Sequence, residues 1–212
     1  MSGEVVLRAS GIHKRFGGVT ALGGVDIALR AGEVHGIVGQ NGAGKSTLVK
    51  GIDGGHRPDA GTIELRGAPV AFDSPRDARE AGIAMVFQEF SLVPTLSVAH
   101  NILLLREPRT RLGLTDEAAT VAHAQAVLGD LGVAVDVRAD AGSLPVGSQQ
   151  LVEIAKATAG DPSILVLDEP TASLTAAEVE TLFRVVRRLR ERGVAIVYIS
   201  HRSEEHTSEL QS

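Results

Sequence analysis

Apolar residues along the chain follow two periods. Short apolar runs at 34–38, 83–87, 164–167 and 194–199 predict strands. Strands with apolar residues on both faces belong in a parallel sheet covered on both sides, so the four predict one such sheet. Residues 5–7 and 25–29, with Gly-rich turns between them, predict an antiparallel pair, and 62–65 and 70–72 predict two further short strands. Helical spacing predicts helices over 46–52, 75–81 (with Pro75 in the first turn), 98–105, 115–131, 147–159 and 175–192. In the last of these, Val179, Leu182, Phe183, Val186 and Leu189 share one face. Strand signal almost vanishes between 97 and 160. The pattern therefore predicts an α/β core, about 1–88 and 161–202, interrupted by a helical insert at about 89–160. The stretch LREPRTRLGLTDE, 105–117, is the expected exposed loop.

Composition removes several functional classes. A chain of 212 residues that is 43% hydrophobic can bury a core of its own. A net charge of −5 gives no basic surplus for nucleic acid. The absence of Cys excludes disulfides and thiolate-bound metals and fits a reducing compartment. No run approaches the roughly 18 apolar residues of a membrane span, and the first residues carry no apolar leader segment. Any membrane role is expected to come through a partner.

The candidate chemistry begins with GQNGAGKST, 39–47, which has the spacing G-x-x-x-x-G-K-[ST] between a predicted strand and a predicted helix. Glycines at Gly39, Gly42 and Gly44 let successive backbone N–H groups, including those near Gln40, Asn41 and Ala43, point inward at phosphate oxygens. The helix that follows offers its positive end at Lys45, Ser46 and Thr47. Lys45 reaches the β- and γ-phosphates, and the Ser46 hydroxyl suits Mg²⁺. The expected cofactors are ATP and Mg²⁺. ILVLDEP then places Asp168 and Glu169 at the end of an apolar strand. Asp168 suits a carboxylate that holds Mg²⁺ directly or through water. Glu169 suits the group that orients or deprotonates the attacking water, and the residues leave both roles open.

GQNGAGKST, VFQEFSLVPTLSVAHNI, LPVGSQQLVEIAKA, LVLDEPTASLT and YISHR occur in the order found in ATPase subunits of ABC transporters. The chain resembles that family over about residues 5–201, most nearly the sugar-importer branch of ribose, xylose and galactose type. The resemblance implies a P-loop NTPase fold with a parallel sheet, helices on both faces, an antiparallel β subdomain and an inserted helical subdomain. It places Phe16 where an aromatic ring stacks on adenine, Gln88 at the glutamine that meets Mg²⁺ or the attacking water, and His201 at the histidine that contacts the γ-phosphate. It gives Leu144, Gly147 and Ser148 to the signature loop, which caps the nucleotide of a second ATPase half.

Two positions depart from the family pattern. The signature serine is replaced by Pro145, which weakens the composite site, and Thr175 stands where many members carry Asp. The implied partners are a second ATPase half, fused or separate, membrane permease subunits, and through them an external sugar-binding protein. The implied location is the cytoplasmic face of the cell membrane. The rivals are a non-transport ABC ATPase of ribosome-associated or repair type, and a nucleotide-binding half that does not hydrolyse.

The last residues, RSEEHTSELQS, read back into codons as a common sequencing-library adapter. The expectation is that 203–212 are adapter read-through, with Arg202 shared between that string and the family pattern, and that the natural frame continues. An ordinary disordered polar tail has a similar composition.

Overall fold

The computed structural model describes residues 3–40 and 42–200. Expectations resting on Asn41, His201, Arg202 and 203–212 lie outside the described residues.

Two four-stranded sheets form the β structure. The first contains β1 (Val5–Phe16), β2 (Val19–Arg30), β4 (Ala60–Leu65) and β5 (Ala68–Val70), in the order β2-β1-β4-β5 and antiparallel throughout. β1 and β2 run 12 residues each, well beyond the expected 5–7 and 25–29. Their apolar face carries Leu7, Ala9, Ile12, Leu22, Ile27 and Leu29, all buried. The outer face carries charged and polar residues such as Arg8, His13 and Arg15, which dilute the apolar signal without breaking the strand.

The second sheet contains β3 (Val34–Val38), β6 (Ile83–Val86), β7 (Ile164–Asp168) and β8 (Ala195–Ser200), in the order β3-β8-β7-β6. β8 pairs parallel with both β3 and β7. Ile164, Leu165, Val166 and Leu167 are fully buried, as a strand covered on both faces requires. β3 differs from that expectation. It occupies the edge of the described sheet and is only half-buried, with Val38 41% exposed. The α/β architecture with one parallel and one antiparallel sheet is the one the sequence pattern predicts.

The helices are α1 (Lys45–Ile52), α2 (Pro75–Glu80), α3 (Val98–Ile102), α4 (Glu117–Leu131), α5 (Val146–Thr158) and α6 (Ala176–Glu191). Side-chain caps set several of their starts. The Ser74 hydroxyl accepts the Asp77 N–H at α2, the Ser97 hydroxyl accepts the His100 N–H at α3, and the Asp116 carboxylate accepts the Ala119 N–H at α4. α3 stops at Ile102, short of the expected 105. Leu105 takes a left-handed conformation (φ 64°), and Pro108 follows, so the chain turns out of the helix. The loop beyond it, 105–117, is exposed as expected but holds an antiparallel bridge between Arg109 and Thr115.

The chain divides into two compact units. One runs up to Met85 and takes in Pro162–Glu169 and the residues from Leu189 onward. Its core joins β1, β2, β4, β6, β7 and β8 with Leu48, Val49 and Ile52 of α1. The other comprises Val86–Asp161 and Pro170–Arg188, with α3 packed on α4 and α5.

Asn101 of α3 is fully buried and ties the preceding loop to the helix. Its Oδ1 accepts the Val93 N–H at 2.7 Å, and its amide donates to the carbonyls of Val93, Leu96 and Ser97. Asn101→Ala leaves these groups unpaired in a buried site and is expected to destabilise the chain by about 2–4 kcal/mol. Urea unfolding checks this, and a loss within about 0.5 kcal/mol would contradict it.

Candidate active site

β3 delivers the chain into the glycine-rich loop, and α1 begins at Lys45. Gly44 caps α1 in the left-handed region (φ 88°), and a side chain there would collide with the Ala21 carbonyl and Leu22 of β2. Only glycine lets the loop close against β2 at that point. The Ala43 N–H donates to the Gln40 carbonyl at 3.1 Å and tightens the turn. Lys45 is 8% exposed, and its ammonium curls back to donate to the carbonyls of Gly39 and Gln40, the latter at 3.0 Å. A buried ammonium needs such acceptors. The arrangement holds a positive charge inside the loop. The first turn of α1 carries no acidic residue, so no side chain there opposes an anion. Ser46 is exposed on that turn.

Strand register places the acidic pair. Val38 at the end of β3 lies beside Ser200 of β8, and Asp168 at the end of β7 lies beside Ile199. Three carboxyl ends thus stop within one residue of each other along the sheet, spread over about 10 Å at the usual strand spacing. Glu169 then leaves the sheet at φ 48°, an uncommon conformation for a side-chain-bearing residue, while its N–H donates to the Ile199 carbonyl at 3.1 Å. A side-chain-bearing residue in this region costs about 1–3 kcal/mol, so the surrounding structure holds its backbone there. Phe16 sits at the end of β1, paired with Val19, and is 51% exposed, with the Lys14 ammonium 5.5 Å from its ring centre.

The other sequence-derived residues belong to the second unit. Gln88 lies on an exposed bend after β6. Three residues on, Ser91 is anchored to α5: its N–H and hydroxyl donate to the Glu153 carboxylate, and Lys156 donates to its carbonyl and hydroxyl oxygens at 2.9 Å each. The segment after Gln88 is therefore tied to α5, the helix that begins within LPVGS. The sequence reading missed this knot, because no local spacing links residues 62 apart. α5 starts at Val146 with Pro145 as its cap residue and no side-chain cap. Leu144 accepts the Gln149 side-chain amide at 2.9 Å, Gly147 is buried, and Ser148 is half-buried.

The ABC transporter family profile matches residues 22–172. The chain belongs to the ABC transporter family, as one of its ATPase domains. A ribose import ATP-binding protein of Streptomyces avermitilis is 52% identical over 200 residues, which is 94% of this chain and 40% of that protein. A protein of Agrobacterium fabrum named for import of ribose, galactose or methyl galactoside is 49% identical over 202 residues, 95% of this chain and 39% of that one. The chain thus spans about two-fifths of the length of these relatives. The crystal structure of the ADP conformation of an ATP-binding cassette of an ABC transporter superposes with a TM-score of 0.83 at 29% identity, over 95% of this chain and 83% of that one.

Within this ABC domain the structure adds a residue that the sequence reading passed over. Thr175 and Glu178 form a capping box: Glu178 Oε2 accepts the Thr175 N–H and hydroxyl, each at 2.8 Å, and the Thr175 hydroxyl accepts the Glu178 N–H at 3.4 Å. The T-x-x-E spacing was the available signal. The same carboxylate reaches the start of α5, where a Cβ on Gly147 would collide with it. Donation from the Thr175 backbone and hydroxyl, with a smaller share from the Gly147 N–H, holds the Glu178 carboxyl below the usual range. A depressed carboxyl stabilises the fold at neutral pH, and that contribution is lost as pH falls through the lowered value. Glu178→Gln should therefore lower the thermal midpoint at pH 7, with the difference closing below about pH 4. A difference independent of pH would show that the carboxylate charge is not what the site uses.

Proposed function

We propose that this domain binds ATP with Mg²⁺ and hydrolyses it to energise import of a monosaccharide. The observation that carries the reading is the shared strand edge: a buried Lys45 inside the loop after β3, and Asp168 and Glu169 at the end of β7, one strand removed. In this reading the Lys45 ammonium leaves the Gly39 and Gln40 carbonyls for the β- and γ-phosphates, exchanging neutral acceptors for charged ones. The loop N–H groups, including those of Gly39, Gln40, Gly42 and Gly44, and the α1 N-terminus at Ser46 and Thr47 take the remaining phosphate oxygens. Phe16 stacks on the base.

Glu169 orients a water against the γ-phosphorus and accepts its proton as the bond from that phosphorus to the ADP oxygen breaks. His201, proposed from its place in YISHR, contacts the γ-phosphate. The Ser46 hydroxyl and the Asp168 carboxylate would supply oxygen ligands of the kind a hard cation prefers, and Gln88 is proposed for the same ion only from its place in the family motif. When bound, Mg²⁺ neutralises phosphate charge.

Leu144, Gly147 and Ser148 cap the γ-phosphate of a second ATPase half, and that half returns the same contact. Pro145 leaves backbone N–H groups to do this work without the signature hydroxyl. The segment around Gln88 passes closure to permease subunits at the cytoplasmic face of the membrane, and an external binding protein supplies the sugar. No described helix is long and apolar enough to cross a membrane. The names of the relatives, for ribose and galactose import, support a monosaccharide cargo.

In the complete transporter, Glu169→Gln is expected to keep ATP binding and lower turnover by about 10²–10⁴-fold. Turnover within twofold of the parent would remove Glu169 from the chemistry.

A further inference from the structure

The segment DGGHRPD, 53–59, joins α1 to β4, and the reading above gives it no task. It is nonetheless bound tightly to the end of β1. Asp59 Oδ1 accepts the Lys14 ammonium at 2.8 Å, and Oδ2 accepts the Arg15 N–H at 2.7 Å. The Asp59 N–H donates to the His13 carbonyl at 2.8 Å, and Lys14 also donates to the Arg57 carbonyl at 2.7 Å. These bonds grip His13, Lys14 and Arg15, the three residues that lead to Phe16.

His56 lies in the middle of this segment, its N–H held by the Lys50 carbonyl of α1 at 3.1 Å. Its imidazole meets the Phe16 ring edge-to-face, with centroids 5.6 Å apart and planes at 77°. Both imidazole nitrogens are buried, and neither has a hydrogen-bond partner among the described residues. An unsatisfied buried imidazole costs free energy, so some other contact must justify its place. The ring packs beside Gly51 of α1, and its aromatic contact is with Phe16. Edge-to-face pairs have a preferred geometry and resist rotation of either ring. Lys14 approaches the same ring. Half of the Phe16 surface still remains open.

We propose that His56 is the positioning residue of the base platform: its imidazole fixes the orientation of the Phe16 ring and thereby favours triphosphates that carry a purine base. The inference rests on the reading of Phe16 as the stacking surface. It also gives the α1-to-β4 connection a function, since one helix then sets both the phosphate loop at its start and the base platform through the segment at its end.

Equilibrium binding to the full chain tests this, with ATP and with inorganic tripolyphosphate as a probe that has no base. His56→Ala is expected to weaken ATP binding about threefold to tenfold and to leave tripolyphosphate binding unchanged. His56→Leu, which fills the space without an aromatic edge, should behave the same way, so a folding defect in the alanine variant does not decide the matter. His56→Phe, which keeps the edge and discards the nitrogens, should restore ATP affinity. Equal losses for both probes, no loss for ATP, or no rescue by phenylalanine would each overturn the proposal. Phe16→Ala separates the two levels. If it leaves ATP affinity unchanged, the stacking reading fails. If it weakens ATP while the His56 variants do not, only the His56 proposal fails.

Discussion

Parallel pairing of β8 with both β3 and β7 is the constraint from which the rest of the site follows. In a parallel sheet all carboxyl ends face one way, and the residues that leave those ends are collected along one edge. Here the register matches Val38 to Ser200 and Asp168 to Ile199, so a phosphate-type loop and an acidic pair far apart in sequence stop at the same level. Ile164, Val166, Val197 and Ile199 lock that register in one buried core with Leu48 and Val49 of α1. A slip of one residue in β7 would turn its side chains to the opposite face.

Local electrostatics at this edge run against the charge of the molecule. The chain carries −5 overall, yet the loop holds a buried ammonium beside the N-terminal end of a helix. Screening confines the distant acids to a weak influence, since the Debye length is about 8–10 Å at physiological salt. At the loop itself the Lys45 ammonium and the α1 N-terminus favour an anion, while Asp168 and Glu169 stand at the end of β7, two strands away. Lys45 satisfies its charge on the loop carbonyls, and in the proposed reading an arriving phosphate takes the place of those acceptors. On the acidic side, the Glu169 backbone holds an uncommon conformation and its N–H is pinned to β8.

Much of this was legible in the sequence because it is local. The loop spacing at 39–47, the apolar runs of β7 and β8, and the acidic pair that follows β7 are each contained in a few consecutive residues. The α/β class follows from the same runs, and the family profile and the matching cassette structure agree with it. What stayed hidden depends on contacts at long range or on backbone angles. The 12-residue length of β1 and β2, the edge position of β3, and the early end of α3 at a left-handed Leu105 have no single-residue signature. The bond of Ser91 to Glu153, the reach of Glu178 to Gly147, and the packing of His56 on Phe16 join residues that no periodicity pairs.

The most direct test of the central claim is the position of the Lys45 ammonium in a crystal structure of the chain with a non-hydrolysable ATP analogue and Mg²⁺. The account predicts that it leaves the carbonyls of Gly39 and Gln40 and contacts the β- and γ-phosphates, with the base against Phe16. A nucleotide bound elsewhere, with Lys45 still on those two carbonyls, would contradict it.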